Sequence, residues 1–140
     1  MPHTRQSVTD DVALCLVVPG DDGLMLRATL HYEPSDPLAV NATFRSAGES
    51  ISWVLGRDLL AEGLSCATGD GDVRVWPSAQ SASERPLVMI DLHSPDGQAT
   101  LALDALDLRT FLLRTFEVVP QGAESRHLDI DTVLLRLLAA

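Results

Sequence analysis

Between residues 24 and 32 the chain alternates. Leu24, Leu26, Ala28 and Leu30 fall on one side, and Met25, Arg27, Thr29 and His31 on the other. A period of two marks a half-buried strand, so Leu24–Tyr32 is predicted as one. The apolar stretch Asp11–Val18 before it is a second strand, separated by the turn-forming run Pro19-Gly20-Asp21-Asp22-Gly23. Glu33-Pro34-Ser35-Asp36-Pro37 interrupts the pattern and Leu38–Phe44 resumes it. Three strands with short connections predict an antiparallel meander.

The period then lengthens. After Gly48, the stretch Glu49–Leu60 reads as a helix ended by Gly63 near the C′ position. Ile51, Val54, Leu55 and Leu59 form one stripe on it, and Trp53, Gly56 and Leu60 a second. A helix apolar on two sides is buried on two sides. Gly56 inside it would cost about 1 kcal/mol relative to Ala, a cost that close approach of another backbone or a ring would offset. Strands return at Val73–Trp76, Leu87–His93 and Gln98–Asp104, with Ser78–Arg85 as a polar loop. Ser94-Pro95-Asp96-Gly97 between two β-patterned runs is a hairpin signal. Asp104 or Asp107 can cap a helix running to about Glu117, stopped by the segment from Val118 to Gly122. Asp129 or Asp131 caps a last helix with an apolar stripe at Ile130, Val133, Leu134, Leu137 and Leu138. The order βββ-α-βββ-αα gives an α+β fold, with an antiparallel, barrel-like sheet of six to seven strands and three helices, in preference to a parallel doubly wound one. Residues 1–140 form one domain, with 1–10 as a flexible tail.

Charge sharpens the functional picture. Asp and Glu number 20 against 10 Arg, with no Lys, for a net charge of −10. So acidic a chain is poorly suited to phosphate backbones or anionic lipid. No apolar run approaches the ~20 residues of a membrane-spanning helix. The residues before Asp11 lack the core of a signal peptide, so the chain is expected in the cytoplasm. Nucleophile-elbow, P-loop and dinucleotide-binding motifs are absent. Thr68-Gly69-Asp70-Gly71-Asp72 resembles the start of a calcium loop but lacks its spaced ligands, and reads as a tight turn. Asp91 and His93 share a strand face, enough for a two-ligand clamp. A zinc site needs three or four ligands, so surface or capping roles are the plainer reading of the four histidines. Neither Cys15 nor Cys66 has a neighbour that would lower its pKa. No catalytic, cofactor or metal site is expected. The aromatic residues sit at core-like spacings, except that Trp53 lies on the second stripe of its helix, and Trp is enriched at interface hot spots.

One long stretch resembles a known family. Trp53–Leu64 (WVLGRDLLAEGL) looks like the signature helix of the actinomycete SsgA-like sporulation and cell-division proteins, followed at the family's spacing by Gly69–Pro77 (GDGDVRVWP). Tyr32–Val40 (YEPSDPLAV), Ser94–Gly97, Phe111–Thr115, Val119-Pro120 and Arg126–Asp129 fit the same pattern. Leu55-Gly56 stands where the family often has Phe-Ala, and Leu38 where it has an aromatic residue. The resemblance implies a Whirly-like scaffold, a homotrimer and non-enzymatic work at the division septum. It implies as partners the tubulin-like division GTPase or another SsgA-like protein. A single-stranded nucleic-acid module on the same scaffold is the alternative. On this reading Trp53, Arg57, Asp58 and Glu62 are candidate partner or subunit contacts, while Arg57 and Asp58 could instead pair within the fold and Trp53 could be core.

Overall fold

A computed structural model describes residues 6–18, 20, 23–46, 48–78 and 85–126. Among the described residues, seven strands form one antiparallel sheet: β1 (Val8–Leu16), β2 (Leu24–Tyr32), β3 (Ala39–Ser46), β4 (Glu49–Gly56), β5 (Val73–Ser78), β6 (Leu87–Ser94) and β7 (Gly97–Asp104). Helix α1 (Arg57–Gly63) joins β4 to β5, and α2 (Ala105–Val118) follows β7, with a 3₁₀ turn at Glu124–Arg126. The strand order is β4-β3-β2-β1-β7-β6-β5, which makes β4 and β5 the two edges. The α+β class and the antiparallel sheet match the expectation from sequence. The third predicted helix, from Asp129 or Asp131, lies outside the described residues.

The sheet has two halves joined by a narrow seam. β1 pairs with β2 along its whole length, from Val8 opposite Tyr32 to Leu16 opposite Leu24. Against β7 it pairs only through Leu14, Cys15 and Leu16. β1 begins three residues earlier than the apolar run suggests, because its polar start finds cross-strand partners. Thr9 Oγ1 lies 2.7 Å from His31 Nδ1, Thr29 donates to Asp11 at 2.7 Å, and Asp10 meets Arg114 of α2.

One face carries the core. Leu26, Ala28, Leu30 and Tyr32 of β2 are buried with Val40 and Ala42 of β3, Leu55 of β4 and Val75 of β5. Val88, Ile90, Leu101 and Leu103 extend the layer across β6 and β7, and Leu108, Phe111 and Leu112 of α2 cover it. The Asp104 cap is as expected: its side chain accepts from the backbone N–H of Leu106 at 2.8 Å. The Pro-Asp-Gly hairpin is also as expected, with Ser94 opposite Gly97.

The main correction concerns Glu49–Leu60. Its first eight residues are strand β4, and the helix starts only at Arg57. Positions 51, 53 and 55 satisfy a period of two as well as a helical stripe. Gly48, at φ +85°, closes a hairpin with β3, and the register from Ser46–Glu49 to Ala39–Gly56 settles the choice. Trp53 is therefore opposite Ala42 on a sheet, not on a helix. Gly56 ends up as the extended residue before α1, where a Cβ would meet only an ordinary contact with Leu59.

Gly63 is the glycine that close packing requires. It is the last residue of α1, and the helix ends on Leu64 in right-handed geometry rather than on a left-handed glycine. A Cβ on Gly63 would lie 2.6 Å from Cβ of Val75, which is fully buried on β5. Gly63→Ala is therefore expected to destabilise the fold by about 1–3 kcal/mol through overpacking, more than the ~1 kcal/mol that helix propensity returns. Chemical denaturation of Gly63→Ala, Val75→Ala and the double variant checks this, with a less-than-additive loss in the double variant as the expected signature.

Candidate functional site

Four residues were singled out from the sequence, and the β4–α1 junction separates them into three environments. Trp53 is half-buried on the inward face of β4 and packs against the core. Asp58 and Glu62 are exposed, one helical turn apart on α1. Arg57 is 1% exposed and is the largest of the fully buried side chains.

Burying a guanidinium is costly unless its charge and its donors are matched. Here the matching comes from far along the chain. Arg57 Nη1 donates to the carbonyl of Val119 at 2.8 Å and to that of Thr115 at 3.3 Å. Nη2 donates to Glu124 Oε2 at 2.8 Å. The guanidinium carbon lies 4.2 Å from the ring centre of Phe116 and 5.0 Å from that of Tyr32, within cation–π range. Only Nε is left without a partner. Arg57 pairs within the fold, with Glu124 rather than with its neighbour Asp58, and it is not presented to solvent.

The surrounding groups respond in the expected directions. Glu124 is held below the usual glutamate range by its own backbone N–H first and by the Arg57 guanidinium second, against the opposing effect of burial. Its other oxygen accepts from the N–H of Gly122 at 2.8 Å. Burial pushes the Tyr32 phenol up to about 12, and the phenol donates to the carbonyl of Pro37 at 3.0 Å.

Asp91 and His93 do share a face, on β6. His93 Nε2 lies 2.9 Å from Asp91 Oδ2. Thr100 donates to Oδ1 at 2.9 Å and Gln98 to the same oxygen at 3.2 Å. Asp91 is 8% exposed. Burial alone would raise its pKa, but hydrogen bonds from Thr100, His93 and Gln98 outweigh that and hold the carboxyl below its usual range. Among the described residues no group of three or more His, Cys, Asp or Glu side chains is placed to hold a metal ion.

Sequence reasoning missed the exposed apolar residues of β4. Ile51 is 61% and Val54 64% exposed, on opposite faces of the edge strand. Read as a helix, both fell on a buried stripe. The alternation of Ile51, Trp53 and Leu55 was the signal that would have placed them.

Arg57→Ala is expected to cost about 3–5 kcal/mol, because it orphans Glu124 and two carbonyls. Asp58→Ala, on the solvent side of the same helix, stays within about 1 kcal/mol. Urea titrations compare the two. Because the folded pKa of Glu124 is depressed, its contribution is present above the ordinary value of 4.5 and is lost as pH falls through the folded value. Glu124→Gln should therefore lower stability at neutral pH and flatten the fall in stability below pH 4.5.

Comparison with known proteins places this architecture. The family described as "Streptomyces sporulation and cell division protein, SsgA" matches residues 26–124. The sporulation-specific cell division protein SsgB of Kineococcus radiotolerans is 45% identical over 99% of this chain and 84% of its own length. SsgB of Streptomyces coelicolor is 47% identical over 95% of this chain and 96% of its own. A structure solved under the description "Mutations in SsgB correlate to longitudinal cell division during sporulation of Streptomyces coelicolor" superposes with a TM-score of 0.84 at 46% identity, covering 91% of this chain and 99% of that one. The crystal structure of an SsgA-like sporulation-specific cell division protein from Thermobifida fusca superposes equally well, with a TM-score of 0.84 at 39% identity over 97% and 98% of the two chains. With its fold, its central motifs and nearly its whole length shared with these proteins, the chain belongs to the SsgA family of sporulation and cell division proteins.

Proposed function

We propose that this protein is a non-enzymatic adaptor of sporulation septation. It helps to recruit or position the tubulin-like division GTPase at septum sites, directly or through another SsgA-like protein. The observation that carries the reading is its membership of a family of sporulation-specific cell division proteins. In this reading the chain works as a homotrimer in the cytoplasm and is drawn to the septum by its partners. Three copies of a weak site then give avidity for a polymer without any tight single contact.

The contact surface proposed is the β4 edge with the outer side of α1. β4 is an edge of the sheet, and an edge strand offers unpaired backbone N–H and C=O groups to an added strand. Ile51 and Val54 add exposed apolar area to that edge, and Trp53 lies between them. Asp58 and Glu62 supply charge at its end. Arg57 contributes from within, by fixing the junction from which these residues project.

The test is co-sedimentation of the purified protein with the polymerised division GTPase of the same organism. Specific pelleting is expected, lost on Ile51→Glu and Val54→Glu while the fold survives by circular dichroism. No pelleting of folded protein would overturn direct recruitment and leave action through a sibling protein. Sedimentation velocity is expected to give three times the 15.1 kDa chain mass. A strict monomer at working concentration would remove the avidity argument.

A further inference from the structure

The outward face of the sheet carries an apolar row that lies apart from the β4 edge. Strand pairing lines up Met25 of β2 with Cys15 of β1, Cys15 with Ala102 of β7, Ala102 with Met89 of β6, and Met89 with Trp76 of β5. All five face away from the core, because the residues that alternate with them, Leu14, Leu26, Leu101, Val88 and Val75, are buried. Five neighbouring strands at about 4.8 Å spacing give a row about 19 Å long. Met25 is 67% exposed and the other four are partly exposed. Thr100, Asp91 and Arg74 border the row on one side, and Arg27 and Asp104 on the other. An apolar line one residue wide, running across the strands between polar neighbours, fits the stripe of an amphipathic helix better than an added strand.

Residues 127–140, outside the described part of the chain, carry such a stripe in Ile130, Val133, Leu134, Leu137 and Leu138. As a helix, 14 residues span about 21 Å, close to the length of the row. The point of departure decides whose row it is. Glu124 is bonded to Arg57, whose guanidinium lies over the Tyr32 ring. Arg126 therefore leaves from the Tyr32 end of the sheet, on its core face. Tyr32 is opposite Val8, and Cys15 is seven residues, about 23 Å, further along β1. The three steps from Arg126 to the Asp129 cap reach at most about 11 Å. A helix lying along the row of its own copy would have to start beyond that reach, on the other face of the sheet.

We infer that residues 127–140 of one copy lie as an amphipathic helix across the outward row of a second copy. The inference rests on the self-association in the reading above and supplies its contact, without using the β4 edge or the division GTPase. The contact is heterologous, segment to row. Each copy offers one of each, and three copies close a ring.

Sedimentation velocity of the full-length protein is the test, with folding followed by circular dichroism. Met25→Glu on the row and Leu134→Glu on the stripe are each expected to reduce the particle from three chains to one. Thr132→Glu, on the opposite side of the helix, is expected to leave three. An equimolar mixture of the Met25→Glu and Leu134→Glu proteins is expected to recover particles of two chains, one intact row receiving one intact segment. A second measurement covers a charged variant that fails to fold. The free cysteines Cys15 and Cys66 are replaced by Ser, and Met25→Cys is combined with Leu134→Cys. Oxidation is expected to join separate chains through this pair. A wild type that does not self-associate overturns the inference together with the homotrimer reading. The inference falls alone if the wild type is a trimer and folded Met25→Glu or Leu134→Glu protein keeps three chains. It also falls alone if the mixture stays monomeric or the cysteine pair closes only within single chains.

Discussion

The structure turns on one buried charge. Arg57 stands at the first residue of α1, yet its side chain reaches residues 58 to 67 positions later in the chain. Helix α2 has no basic residue in its last turn, and the carbonyls at its C-terminal end carry partial negative charge. Arg57 supplies the missing cation from another element. It also holds Glu124 of the 3₁₀ turn and lies over the rings of Tyr32 and Phe116. One guanidinium therefore ties β2, α1, α2 and the segment after α2 together. Buried pairs of this kind contribute little net stability compared with a packed apolar alternative, but breaking one is severe. Their value lies in geometry: a guanidinium with directional donors accepts one arrangement of its neighbours, where apolar packing would accept several.

That geometry matters because the sheet does not close through paired strands. β4 and β5 are both edges, and natural edges are usually protected by proline, charge or a covering segment. β5 is protected: Pro77 removes a donor and Thr68 pairs with Val75. β4 carries neither proline nor a basic residue and exposes Ile51 and Val54. The asymmetry is physical grounds for placing strand addition at β4 rather than at β5. The net charge of −10 acts on both by disfavouring indiscriminate association with polyanions.

Much of this was legible in the sequence, and the exceptions share a cause. β2 was read residue for residue, because its alternation is strict and its flanks are rich in turn-forming residues. The β6–β7 hairpin and the Asp104 cap were read from local chemistry that acts within four residues. β4 was not. Its apolar positions satisfy both periods, its far end has no helix-capping side chain to mark where α1 begins, and the deciding factor is pairing with β3, a tertiary event. Arg57 reads from the sequence as a candidate partner contact that could instead pair within the fold, and the second reading holds, with a partner the sequence does not point to. Nothing local distinguishes a buried arginine from an exposed one when its partner, Glu124, is 67 residues away. The Asp91 cluster was half legible: the shared face of Asp91 and His93 follows from strand alternation, but the donors Thr100 and Gln98 reach Asp91 only through the pairing of β6 with β7.

Short as it is, helix α1 governs both edges of the sheet. α1 has seven residues and no side-chain cap, too short to be stable alone, where isolated helices below ~12–15 residues are marginal. It forms because both ends are pinned from outside. Arg57 is anchored at its start by α2 and the 3₁₀ turn, and Gly63 at its end lies against Val75, where no larger residue fits without displacement. β4 runs directly into the first anchor and β5 packs against the second. The relative placement of the two sheet edges is thus set by a guanidinium at one end of α1 and a missing methyl group at the other. A change at either would be felt at both edges even though neither residue is itself exposed.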